Sequence, residues 1–288
     1  RPSAETVELM ATIERDAARL PSRRAVAPVS LLRPPRLIGR ERELVRLRQA
    51  WTAHREFLLT GEAGIGKTRL LQDFAAGLQG VAAVQARPGD AGIPYAVLAR
   101  LLRAVLAAHG AVPSGERRAE LALVMPELGA AVEVSGQAQR WRLGCAAEAV
   151  LAEAMVAGLQ AAIVDDLHFA DAASLEFLQT LMDAESLTDL RWGFARRAAD
   201  TSEDLDRMRL ALEESGRIET TVLQPLDMDQ LGALIASLGL PELDSARLAP
   251  ALLRHTGGNP LFALETLKEL VLLPTDEAPG TTARLPQP

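Results

Sequence analysis

Lysine is nearly missing from this 288-residue chain: Lys67 and Lys268 are the only two, so arginine supplies almost all of the 31 basic residues. The 38 acidic residues outnumber them, and the formal net charge is −7. A balance of that sign leaves little to neutralise phosphates, which argues against this segment gripping DNA by itself. There is one cysteine, Cys145, so no internal disulfide can form, and a reducing cytoplasmic setting is expected. With Gly144, Ala146 and Ala147 beside it, Cys145 is predicted to be a small buried residue of a helix rather than a reactive thiol. Aromatics make up only 3%, so Leu, Val and Ala must do the packing. No apolar run approaches the about 18 residues that a membrane span needs, and no signal-peptide pattern opens the chain. A chain that starts at Arg1 and ends Arg284-Leu285-Pro286-Gln287-Pro288 reads as a piece of something longer.

What is present begins with Gly61-Glu62-Ala63-Gly64-Ile65-Gly66-Lys67-Thr68, which fills every fixed position of a phosphate-binding P-loop. Glycine lets backbone N–H groups close on an anionic phosphate, and the helix that starts near Lys67 adds the positive end of its dipole. Lys67 brings a full charge to the β- and γ-phosphates, and the Thr68 hydroxyl is placed to ligate Mg²⁺. The flanks agree. Phe57-Leu58-Leu59-Thr60 suits a buried parallel strand, and Arg69 to Ala76 carries apolar residues at helical spacing up to Gly77. A chance match of a Gly-rich turn would have neither flank.

The second piece of chemistry is Ile163-Val164-Asp165-Asp166-Leu167-His168. A P-loop enzyme needs a carboxylate at the end of a neighbouring strand to hold Mg²⁺, and Asp165 directly follows an apolar run. Asp166 is then placed to orient or deprotonate an attacking water. Two adjacent carboxylates would repel a triphosphate unless a cation stood between them, an independent reason to expect Mg²⁺.

The organisation alternates. A helix over about 3–20 is predicted, then a Pro-containing linker from Pro21 through Pro34-Pro35, then a helix facing inward through Leu44, Leu47 and Trp51. Further strands are predicted at Val81–Ala86 and Ala161–Val164, with weaker candidates at Trp192–Ala195 and Thr220–Leu223. Helices are predicted at Leu98–Leu106 and Trp141–Leu159; between them, Gly110 to Pro126 carries no clear pattern. Beyond Pro225 the pattern turns all-helical. The expected fold is α/β: a P-loop NTPase with a mainly parallel five-stranded sheet, then a small all-helical subdomain. The expected domains are 1–35 (helix and linker), 36–224 (NTPase core), 225–273 (helical subdomain, a lid by the resemblance described next) and 274–288 (a tail leading onward).

Four segments then come in a telling order: Leu37-Ile38-Gly39-Arg40-Glu41-Arg42-Glu43-Leu44, the P-loop, Asp165 to Leu175, and His255-Thr256-Gly257-Gly258-Asn259-Pro260-Leu261-Phe262. Together they resemble STAND-type signalling ATPases, above all the ATPase module of large bacterial transcriptional regulators of the LuxR and SARP types. The resemblance spans about residues 36–272. Phe169 departs from it, since the family usually has Trp there. Pro2-Ser3-Ala4-Glu5-Thr6 looks like the end of the helical activator domain of SARP-type proteins. The resemblance implies ATP/ADP and Mg²⁺ as ligands. It implies nucleotide contacts from Ile38 and Gly39 at the adenine, from Glu62, Ala63, Gly64, Ile65, Gly66, Lys67, Thr68 and Arg69 at the phosphates, and from Pro260 at the adenine. It implies Thr68 and Asp165 at the metal, Asp166 and Lys67 in catalysis, and a sensor arginine at Arg196 or Arg197, with Arg197 preferred. Asn259-Pro260 is also a good N-cap and first-turn pair, His168 reads as a hydrogen-bonded strand-end residue, and Asp171 reads as an N-cap.

Two functions follow from different classes. One is a slow ATPase switch whose nucleotide state sets packing on flanking domains, with DNA reached only through domains outside this chain and self-association governed by nucleotide. The other is a module that holds ADP or ATP structurally and hardly hydrolyses it. A small-molecule kinase is disfavoured by the Asp-Asp pair, the Gly-Arg element and the helical extension.

Overall fold

The computed structural model describes residues 33–109, 113–131, 136–200, 202–241 and 243–272. The predicted helix over 3–20 and the tail after Pro274 lie outside them. In chain order the elements are α1 (Glu41–Thr52), β1 (Glu56–Gly61), α2 (Lys67–Ala76), β2 (Val81–Gln85), α3 (Ala96–His109), α4 (Gly115–Leu121) and α5 (Gln137–Val156). Then come β3 (Ala161–Asp165), α6 (Ala172–Met182), β4 (Arg191–Arg197), α7 (Glu203–Glu214) and β5 (Ile218–Val222). The last three are α8 (Met228–Ser237), α9 (Ser245–Thr256) and α10 (Pro260–Leu272).

The five strands form one sheet in the order β2-β3-β4-β1-β5, and every pairing is parallel. Parallel strands need crossovers, and helices supply them, so both faces of the sheet are covered. Period-two alternation sorts the side chains. Leu58, Ala162, Val164, Trp192 and Phe194 pack on one face with residues of α3, α5, α6 and α7, such as Leu98, Leu151, Leu178 and Leu205. Phe57, Leu59, Ile163 and Ala195 pack on the other with Leu47 of α1 and Leu70, Leu71 and Phe74 of α2. Three of the few aromatics pack together on this face: Phe74 meets Trp51 and Phe57 edge-on, with centroids 5.9 and 5.4 Å apart.

Because all five strands run the same way, their C-terminal ends share one edge. Gly61, Gln85, Asp165 and Arg197 are the last residues of β1 to β4. β4 lies between β1 and β3, and its end is level with the loop, Gly61 pairing with Arg197 in register. In an open α/β sheet this edge is where ligands bind.

Residues Leu37–Gln224 cluster as one compact unit, and the described residues from Pro225 onward fall in another. The second unit holds α8 to α10. An Asp227/Gln230 capping box opens α8, and Leu231, Leu234, Leu252, Ala263 and Leu267 are buried. Leu226 N–H donates to Gly258 O at 2.8 Å, and a Cβ on Gly258 would stand 2.2 Å from Leu226 O, so this crossing admits only glycine.

Three expectations need correcting. Cys145 is exposed, not buried. Helix α5 buries Leu143, Ala146, Ala147, Val150, Leu151 and Ala154, and Cys145 falls off that stripe. The same helix starts at Gln137 rather than Trp141, whose side chain is 71% exposed. The patternless stretch also holds a helix of its own, α4, which buries Leu121.

Candidate functional site

The loop between β1 and α2 is shaped by its glycines. Gly64 and Gly66 have φ of 74° and 102°, values that favour glycine. Ile65 is fully buried and pins the loop into the core. Lys67 opens α2 with only 6% exposure, and its Nζ donates to Gly61 O at 3.0 Å and Glu62 O at 2.7 Å. The ammonium is therefore held at the mouth of the loop, at the N-terminal end of α2. Burial lowers the Lys67 pKa, and the charges of Asp166 and Asp165 oppose that shift.

A second contact braces the loop from outside. Arg40, which is 4% exposed, donates from its guanidinium to Ile65 O at 3.0 Å. Its neighbour Gly39 has φ 68°, a turn into α1 that suits glycine.

The carboxylates come from the end of β3. Thr68 Oγ1 donates to Asp165 Oδ2 at 2.5 Å, joining residues 97 positions apart. Asp166 N–H donates to the other oxygen, Oδ1, at 2.8 Å. Asp165 is 6% exposed, and burial raises its pKa; the Thr68 hydrogen bond opposes this, and the Asp166 charge adds to it. Asp166 has φ 52°, left-handed for a non-glycine residue. Its Oδ2 accepts from Gln85 Nε2 at 2.8 Å, and Gln85 ends β2 in register with Asp165. Arg100 of α3 donates to Gln85 O at 3.0 Å and grips both oxygens of Asp90, fixing the backbone after β2.

The tandem arginines at the end of β4 part company, as alternation along a strand requires. Arg196 is 8% exposed and reaches Asp206 of α7 at 3.2 Å. Arg197 turns to the site: it lies 3.5 Å from Asp200 and 5.4 Å from the centre of the Phe169 ring, and its charge lowers the Lys67 pKa. Arg197 N–H donates to His168 Nδ1 at 3.3 Å. Asp171 caps α6, accepting from Ser174 N–H at 2.8 Å and also from Tyr95 N–H at 2.7 Å.

One sheet edge thus assembles Lys67, Thr68, Asp165, Asp166 and Arg197. Glu62 and Ala63 lie on the loop, and Arg69 pairs with Asp73 one turn into α2. Ile38 is half-buried just before the Gly39 turn. Pro260 opens α10 in the other unit, and Asn259 Oδ1 accepts Leu261 N–H at 3.1 Å as its cap. Sequence reasoning gave no role to Gln85 or Arg40. Gln85 was visible only as a polar strand end, and Arg40 only as the middle of Gly-Arg-Glu.

The residues fit a magnesium nucleotide. A hydroxyl and a carboxylate oxygen 2.5 Å apart are hard donors of the kind Mg²⁺ takes alongside phosphates and water. Two adjoining acidic groups, one with a raised pKa, mark a place where a cation is favoured.

Comparison with known proteins bears on the family and the fold. Residues 36–192, more than half of the chain, match the family model of the AAA ATPase domain. No curated protein matches the chain. Among solved structures, the Walker-type ATPase PABY2304 of Pyrococcus abyssi superimposes with TM-score 0.54 at 16% identity, over 82% of this chain and 68% of that one. Cdc6p from Pyrobaculum aerophilum gives 0.55 at 14% identity, over 88% and 64%. The Aeropyrum pernix ORC2 protein, solved as ADPNP–ADP complexes, gives 0.52 at 15% identity, over 82% and 63%. The chain spans about two thirds of the length of each, and at such identities the likeness is one of fold.

Proposed function

The chain belongs to the AAA ATPase domain family, and from that premise we propose that its core binds Mg·ATP and Mg·ADP and hydrolyses ATP slowly, as a nucleotide-controlled switch. The observation that carries the reading is the 2.5 Å contact of Thr68 with Asp165, which joins the phosphate loop to the strand-end carboxylates. Thr68 and Asp165 would hold Mg²⁺, which when bound would neutralise charge on the phosphates. Lys67 sets a full positive charge at the loop mouth, and backbone amides of the loop and of the start of α2 would donate to phosphate oxygens. Asp166 is the base or orienting group for water, and Arg197 senses the terminal phosphate.

One contact supports slow turnover. Gln85 donates to one oxygen of the Asp166 carboxylate, Oδ2, at 2.8 Å, which makes that group a weaker base toward water. The same contact supports the second reading, a module that holds nucleotide and hardly turns it over. Steady-state ATP turnover of purified protein with Mg²⁺ and with a chelator separates them. Under the first reading Gln85→Leu raises turnover and Asp166→Asn abolishes it. Under the second, neither variant nor wild type turns over.

For the whole protein we propose a transcriptional regulator of the bacterial LuxR or SARP type. In it residues 225–273 act as a lid, and nucleotide state sets how the flanking domains pack. The support is the resemblance of the four motif segments. A ligand shifts such packing only if it binds the two arrangements unequally. Ile38 and Gly39 are proposed at the adenine, and Pro260→Ala tests whether the helical unit joins in: weaker nucleotide binding is the expected result.

A further inference from the structure

We propose that His168 is a positioning residue that, with Phe169, fixes Arg197 to the turn carrying Asp166, so that discrimination between ATP and ADP depends on the His168 ring. The inference rests on the nucleotide-site reading above. Five contacts among His168, Phe169, Arg197 and Asp200 support it. The His168 side chain is 1% exposed, and its Nδ1 accepts the backbone N–H of Arg197 at 3.3 Å. That hydrogen bond joins the end of β4 to the turn after β3, beyond the point where the β3–β4 ladder has stopped at Val164 and Phe194. The ring packs on Phe169, centroids 4.0 Å apart, and the Arg197 guanidinium lies over Phe169 at 5.4 Å. Asp200 completes the group, 3.6 Å from His168 Nε2 and 3.5 Å from Arg197 NH1.

The arrangement holds Arg197 at both ends. His168 fixes its main chain, while Phe169 and Asp200 limit where its side chain can go. His168, Phe169 and Asp200 each lie within three residues of Asp166 or of Arg197 itself, so the sensing arginine and the water-handling carboxylate move as one piece. A ring nitrogen that accepts from Arg197 must be unprotonated, and burial favours the neutral imidazole. An asparagine side chain can place Oδ1 close to where Nδ1 stands, whereas leucine fills the space without an acceptor.

The test measures dissociation constants for Mg·ADP and for a magnesium complex of a non-hydrolysable ATP analogue by calorimetry, on the full chain, with the melting temperature of each variant recorded. Arg197→Ala should weaken the ATP analogue relative to ADP on the order of tenfold. His168→Leu and Phe169→Leu should lose a comparable part of that ratio with ADP affinity unchanged, and His168→Asn should retain it. If Arg197→Ala loses the ratio while His168→Leu keeps it, or if His168→Asn behaves as His168→Leu does, the positioning role is wrong and the site reading stands. If Arg197→Ala keeps the ratio, the sensor assignment falls and this inference with it. Should His168→Leu fail to fold, Phe169→Leu decides: a lower ratio supports the proposal and an unchanged one overturns it.

Discussion

Asp165 and Asp166 are neighbours in the chain but stand in different surroundings, and the difference sorts their work. Asp165 is buried and bonded to Thr68, in the ground state and before any chemistry. Asp166 sits in a left-handed conformation that costs about 1–3 kcal/mol and persists only where surrounding contacts hold it. Asp165→Asn should therefore weaken Mg²⁺-dependent nucleotide binding, while Asp166→Asn should leave binding largely intact and remove turnover. Titration calorimetry beside a turnover assay reads both; wild-type turnover in Asp166→Asn would show the role to be misassigned. His168 gives a pH dependence of definite sign. Burial holds it below the ordinary value of 6.5 in the folded state, so between the two values the unfolded chain binds more protons. Stability should then be lost as pH falls through about 6.5. The carboxylates titrate too, so the useful quantity is a difference: His168→Asn should flatten the slope of the urea midpoint between about pH 7.5 and 5.5. Parallel slopes in wild type and variant would mean that His168 binds its proton equally well in the folded and unfolded chains.

At the scale of elements, β4 meets β1 closely at one glycine. A Cβ on Gly193 would lie 2.2 Å from the Phe57 ring, so the central pair β1–β4 is built around that glycine. Gly193→Ala should destabilise the core by about 1–3 kcal/mol, and adding Phe57→Leu should return part of the loss, since the two residues share one space. Additive effects in denaturant titrations would contradict the packing described. This glycine is also why β4 was faint in the sequence: Arg-Trp-Gly-Phe-Ala-Arg breaks the apolar run that made β1 and β3 plain. Phe57–Thr60 and Ala161–Val164 could be read because strands buried on both faces leave continuous apolar stretches. Small residues hid the orientation of α5: Gly144, Ala146, Ala147 and Ala149 suit either face of a helix, and with so few markers Cys145 was misplaced. Gln85 was illegible for another reason. Its meeting with Asp166 depends on β2 lying beside β3, and strand order does not show in local pattern. The P-loop and Asp165 needed no such knowledge, because each carries its chemistry within one short stretch of chain.

At the scale of the whole molecule, charge and nucleotide linkage are the testable properties. With a net charge of −7 and two lysines, the chain should show no tight binding to duplex DNA at physiological salt, as read by fluorescence anisotropy. Tight binding would overturn the switch and the binding-module readings together. If nucleotide state alters how the units are arranged, proteolysis near Pro225 should differ between protein with ADP, with a non-hydrolysable ATP analogue and with neither; identical patterns would favour the plain binding module. The central claim is that the Gly61–Thr68 loop and Asp165 form a magnesium-nucleotide site. It is met most directly by the thermal unfolding of folded wild type and Lys67→Ala with and without millimolar Mg·ADP. At about 100 times Kd the ligand should add about 2.7 kcal/mol to wild type, with a higher Tm, and most of that gain should vanish in Lys67→Ala. A wild-type Tm that nucleotide leaves unchanged, or an equal rise in Lys67→Ala, would contradict it.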